Sequence, residues 1–173
     1  MKPRSRGRPN GSGGRSVALT PDQIKSVARL ARRERHSDRA ELMLALSIEL
    51  GLRATELASL RWNDVFGHQG EIRNFISTRA AYSGTLAQFD LTNSKLRSKI
   101  ADYYEKRRFI SGEADNEPLF RSQRGVALTP ASVARYLTQL YRKAGISRGS
   151  SRSGRRTREI SRATFLPSKK WPT

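Results

Sequence analysis

The sequence contains no cysteine. That excludes a disulfide framework and any metal site built on thiolates. Long apolar runs are missing as well. The longest, LMLALSI at Leu42–Ile48, falls far short of the ~18 residues of a membrane span. The basic N-terminus has no apolar segment behind it, so it is not a secretory signal. Histidine is scarce: His36 and His68 each stand alone in loop sequence and read as solvated. No residues cluster at metal-ligand spacing, and no Gly-rich phosphate loop of the P-loop type is present, so no cofactor is expected. Acidic residues are few, 15 against 34 lysines and arginines. The expectation is a soluble cytoplasmic protein, nucleoid-associated if bacterial, with no membrane partner.

What is present is positive charge, unevenly spread. The formal net charge is +19. Residues 1–16 carry five basic and no acidic residues, and residues 146–173 carry eight basic and one acidic. Both ends are far more basic per residue than the centre. An excess of this size points to a polyanion, with nucleic acid as the leading candidate.

The length of 173 residues suits one domain with a real core. Residues 1–16, MKPRSRGRPNGSGGRS, hold almost no apolar side chain and cannot offset their ordering entropy. They read as a disordered basic arm. Structure begins at Thr20-Pro21-Asp22-Gln23, an N-cap, a proline at the first helical position and a capping-box glutamine. A second helix is expected over 38–50, with Leu42, Leu46 and Leu50 on one face and Gly51 ending it in a left-handed conformation. A short helix follows over 55–60. Alternation at Ile72, Phe75 and Ile76, a Ser83-Gly84 turn and a return over 86–91 predict a β-hairpin. Asn93 or Ser94 caps a helix to about 110. Thr129-Pro130 opens another that Gly145 closes. After Gly145 serine and arginine dominate and periodicity fades. The fold class is mainly α with a small β-hairpin, an α+β domain.

The segment Leu50–Val65, LGLRATELASLRWNDV, concentrates the chemistry. Arg53 follows a helix-ending glycine in an apolar neighbourhood, and Glu56 lies one turn on. A guanidinium is a planar fork of donors that matches two phosphate oxygens at once, and a carboxylate in reach would steady it. The same residues also fit a plain ion pair or a solvated arginine at a helix end.

This segment resembles the first signature box of the tyrosine recombinase, or phage integrase, family. EPLFRSQRGVALTPASVARYLTQLYRKAGI resembles the stretch before the family's second box, and SSRSGRRT resembles that box. The order of elements agrees, and the resemblance covers about residues 19–157. It implies the catalytic-domain fold over 17–157, double-stranded DNA as partner, Arg53 and Arg155 as a phosphate clamp and Glu56 as their acidic support. Arg156 takes the place of a basic residue that is structural in the family. Trp62 and Asp64 match the end of the first box, and Trp62 reads as a core residue.

Three departures follow. Arg152 occupies the family's histidine position, and arginine cannot take a proton. The hairpin stretch STRAAYSGTLAQ has no lysine to serve as general acid, and Arg79 is the basic residue nearby. Only 16 residues follow Thr157 and none is tyrosine. Residues 158–173 therefore read as a divergent, disordered tail on a domain truncated before its nucleophile, with prolines that oppose a helix. The five tyrosines, Tyr82, Tyr103, Tyr104, Tyr136 and Tyr141, all precede the second box, and no nucleophile is assigned. The expected function is DNA binding by a recombinase-derived domain unable to cleave DNA by itself. Two alternatives stay open: a recombinase subunit using a tyrosine supplied in trans, and an unrelated basic RNA-binding protein. Oligomerisation is left open.

Overall fold

The computed structural model describes residues 16–79, 86–111 and 116–165. The basic arm expected over 1–16 lies outside them except for Ser16. The helices are α1 (Pro21–Ala31), α2 (Ser37–Ala45), α3 (Ala54–Ser59), α4 (Trp62–Val65), α5 (Ser94–Ser111), α6 (Pro130–Lys143) and α7 (Ser153–Phe165). Two strands, β1 (Phe75–Arg79) and β2 (Leu86–Asp90), form an antiparallel pair.

Local signals place most of these elements. At α1 the Thr20 hydroxyl accepts from the Gln23 N–H, and the Gln23 side chain accepts from the Thr20 N–H. This capping box satisfies two donors that the first turn leaves open. Thr129 caps α6 in the same way, accepting from the Ser132 N–H ahead of Pro130. Gly145 follows α6 at φ 79°.

The second helix differs from the sequence expectation. Its last turn, Leu46–Leu50, widens into a π-helix, and Gly51 at φ 76° ends it with its N–H on the Leu46 carbonyl. Leu52 is then fully buried and Arg53 caps α3. The wide turn thus sets where Arg53 leaves the core.

α2 is the centre of the packing, with Ala40, Leu42, Met43, Leu44 and Ala45 all buried. α1 and α5 flank it, α6 packs on α1 and α3, and α7 lies across the π-turn. Trp62 stacks on Phe66 at 5.0 Å and on Tyr103 at 5.8 Å, so it is a core residue. In the hairpin Ile76 pairs with Phe89 and Phe75 with Asp90. Adjacent strand residues face opposite ways. Ile76 is therefore buried while Phe75 is half exposed. Ile72 lies outside this ladder and bridges Phe66 instead. The expected turn at Ser83-Gly84 lies outside the described residues.

The expectation of a disordered tail from residue 158 is corrected. α7 runs through Phe165. The prolines that argued against a helix begin at Pro167, and residues 166–173 of the expected tail lie outside the described residues. α7 is held by small groups rather than by an apolar stripe. Ser153 and Thr157 are buried, Thr157 Oγ1 accepts from the Leu19 N–H at 2.8 Å, and Gly154 presses on the π-turn. A Cβ at Gly154 would lie 2.3 Å from Ser47 Oγ and 2.7 Å from the Ser47 carbonyl oxygen. The hydroxyl could rotate away, but the backbone cannot. We expect Gly154→Ala to cost roughly 1–3 kcal/mol through overpacking, despite alanine's better helix propensity. Thermal unfolding of the two proteins checks this, and an unchanged midpoint would mean that α7 is not seated so closely.

Candidate phosphate-binding cleft

Arg53 is the N-cap of α3, in extended backbone at φ −77° and ψ 160°. Its backbone N–H donates to Glu56 Oε2 at 2.6 Å. Glu56 is only 5% exposed. This alters the role expected for Glu56. It anchors the Arg53 backbone rather than pairing with the guanidinium, because at the third position of a helix a carboxylate reaches back to the N-cap amide. Among the described residues the Arg53 guanidinium makes no ion pair.

Arg53 lines a cleft of about 250 Å³ together with Leu50, Gly51, Glu56, Ala87, Phe89, Arg155, Arg158, Glu159 and Arg162. A second cleft of about 730 Å³ has Arg53, Ser16, Arg152, Arg155, Arg156 and Glu159 in its wall. Arg53 and Arg155 line both. The structure therefore brings together residues far apart in sequence, joining Arg53 and Glu56 from the α3 start to Arg155 on α7. Arg152, just before α7, is exposed on the second cleft with Arg156. In this chain Arg156 is a surface residue of the cleft and not a buried structural one.

Three charged residues of the clefts are not among the sequence candidates: Arg158, Glu159 and Arg162. Their signal is helical spacing. Arg155, Arg158, Glu159 and Arg162 recur at three- and four-residue intervals, which puts them on one face of α7. Reading this stretch as a tail hid that face. The Arg158 stem also packs close to Gly51, where a Cβ would meet its Cγ at 3.3 Å.

Arg155 Nε donates to Glu159 Oε1 at 2.7 Å. The Arg155 guanidinium beside it holds the Glu159 carboxyl below the usual carboxylate range. Glu159 stays ionised at neutral pH, and six arginines share the walls of the two clefts.

None of the described tyrosines lines either cleft. Tyr103 is buried and its hydroxyl donates to the Leu119 carbonyl at 2.6 Å. Burial raises its pKa well above the ordinary value. Burial also pushes Tyr136 and Tyr141 up to about 12. Tyr104 packs against Phe66 and Trp62. Tyr82 lies outside the described residues. In the hairpin Arg79 is the last residue of β1, its backbone paired with Leu86.

The histidines divide. His68 is exposed, whereas His36 is half-buried against α2, which corrects its reading as solvated. Its Nε2 is buried without a partner. Burial, with Arg39 and Arg107 nearby, lowers its pKa. Neither histidine lines a cleft. Among the described residues no helix is long and apolar enough to cross a membrane.

The fold is an α+β domain in which arginines from the start of α3 and from α7 line the same clefts. The phage integrase family model matches residues 18–166, and the chain belongs to that family. Its fold is that of the tyrosine recombinase catalytic domain. The crystal structure of XerA recombinase is similar, with a TM-score of 0.70 and 23% identity, over 87% of this chain and 52% of that one. The Tn1549 transposon integrase (residues 82–397), in complex with circular intermediate DNA, gives 0.64 and 18% over 88% and 54%. The lambda integrase (residues 75–356) bound to DNA gives 0.61 and 16% over 86% and 52%. The chain thus spans about half the length of these structures. No curated protein matches it by sequence. Family membership sets aside the reading in which the two boxes are coincidental.

Proposed function

We propose that this chain binds duplex DNA by its backbone, clamping one phosphate between Arg53 and Arg155, and that it does not cleave DNA by itself. The observation that carries this reading is the presence of Arg53 and Arg155 together on two clefts whose walls hold four further arginines. Two guanidiniums on one cleft suit a phosphodiester, whose two non-bridging oxygens they can share. The family match supports the same partner, since the Tn1549 and lambda integrases named above are DNA complexes. Arg152, in place of the family's histidine, adds charge to the clamp and supplies no proton transfer. None of the four described tyrosines lines the clefts, and Tyr82 lies outside the described residues.

Fluorescence anisotropy with labelled duplex DNA tests the clamp. Arg53→Ala and Arg155→Ala are each expected to weaken binding roughly 10- to 100-fold, the scale of a lost hydrogen bond to a charged group. Lysine at either position should recover only part of the loss, because an ammonium lacks the fork. A chain that binds DNA equally well without both arginines would overturn the clamp. Tighter binding to duplex RNA than to DNA would overturn the choice of partner.

A further inference from the structure

Arg155 already holds an anion. Glu159 Oε1 accepts from its Nε at 2.7 Å, and Glu159 Oε2 stands 3.7 Å from Arg156 Nη1. The two oxygens of one carboxylate thus face two neighbouring guanidiniums, as two oxygens of a phosphate would. Glu159 lines both clefts. The other carboxylate of the cleft walls, Glu56, is buried and turned to the Arg53 backbone. Glu159 is therefore the one carboxylate of the cleft walls that neutralises their guanidiniums. Its side chain is 47% exposed and Arg155's is 38% exposed. Exposed pairs four residues apart on a helix are weak, so this one can be broken at little cost.

We propose that Glu159 is a built-in competitor for the phosphate at Arg155. It holds the guanidinium while no DNA is bound, and a backbone phosphate must displace it. This rests on the clamp reading above and adds its regulation. Two consequences follow from charge alone. Glu159 lowers the affinity of the cleft for any phosphate. Its charge also offsets one guanidinium, so the cleft neutralises about one DNA phosphate fewer and binding releases about one condensed cation fewer from the DNA. A lone phosphate gains little by displacing it. A duplex held by several other arginines at once faces the same competitor at a high effective concentration of phosphate. Glu159 would thus favour the extended polyanion over free phosphate.

The test uses the full chain and a labelled duplex across a salt series. Glu159→Gln keeps the shape and removes the charge. Glu159→Ala is the second variant, since alanine is the strongest helix former. The control is Asp102→Asn, a charge change at an exposed position on α5 away from both clefts. Both Glu159 variants are expected to bind roughly two- to fivefold tighter at low salt, the scale of an exposed ion pair. Their salt dependence should steepen by about one unit of slope, and the control should change less. In an Arg155→Ala background the gain should largely vanish. Binding no tighter than the control's overturns the proposal. Weaker binding also overturns it, making Glu159 a residue that positions Arg155. If Arg155→Ala alone leaves affinity unchanged, it is the clamp reading that fails.

Discussion

Raising the salt from about 50 to about 200 mM is expected to weaken DNA binding about a thousandfold, if the six cleft arginines all meet phosphates. Arg53, Arg152, Arg155, Arg156, Arg158 and Arg162 are those six. Each neutralised phosphate contributes about −0.9 to the slope of log affinity against log salt, so six give a slope near −5. Glu159, if it competes as proposed, makes the slope shallower by about one. The basic residues of 1–15 would steepen it where they reach DNA. Phosphate contacts set register on the duplex but carry no base information. Unrelated duplexes of equal length should therefore bind within a narrow range of one another. Anisotropy titrations at four or five salt concentrations measure the slope directly. A slope near zero would mean that the cleft does not work by charge, and a strong preference for one sequence would mean that base edges are read.

The parts of the fold legible in the sequence are those fixed locally. The Thr20 and Thr129 caps, each followed by proline, give the starts of α1 and α6 within a residue, because a cap needs only neighbours a turn away. Gly51 and Gly145 both take positive φ, as the helix-end pattern requires. Trp62 reads as core and is core. The hairpin was legible as alternation, though its ladder is shorter than the alternating run, since Ile72 leaves to bridge Phe66.

What the sequence hid was α7. Its inward side is Ser153, Gly154 and Thr157, so no apolar stripe marks it. Its contacts with Ser47 and Leu19 are long-range and polar, or depend on close backbone approach. No window of residues contains them. The same blindness explains Glu56. The spacing from Arg53 was visible, but a carboxylate at that spacing can reach either the guanidinium or the amide. Only the N-cap geometry at Arg53 selects the amide. Arg53 and Arg155 were found by resemblance to two boxes, and nothing local in either box says that they share a cleft. Glu159 is not legible in the sequence because its meaning depends on α7 being a helix.

Incubated with nicked suicide substrates, the 173-residue chain is expected to form no covalent protein–DNA adduct. Cleavage by a tyrosine needs a phenol oxygen in line with a clamped phosphate, a group that takes its proton and an acid for the departing sugar oxygen. The cleft supplies charge, which is often the largest catalytic contribution, but charge does not substitute for a nucleophile. Of the described tyrosines, Tyr103 and Tyr141 are buried. Tyr136 has a pKa raised to about 12 by burial, and the Tyr103 hydroxyl is committed to the Leu119 carbonyl. Tyr104 is packed in the aromatic cluster. Burial makes the phenolates of Tyr103, Tyr136 and Tyr141 harder to form, and none of the four described tyrosines lines the clefts that hold Arg53 and Arg155. Tyr82 belongs to the hairpin sequence that carries no lysine. At the family's histidine position Arg152 cannot exchange a proton near neutral pH. Each absent proton-transfer group would lower the rate by ~10²–10⁴. Denaturing gels and mass spectrometry of the reaction read the result. A phosphotyrosine link at any of the five tyrosines would overturn the binding-only reading and make this chain a recombinase in its own right.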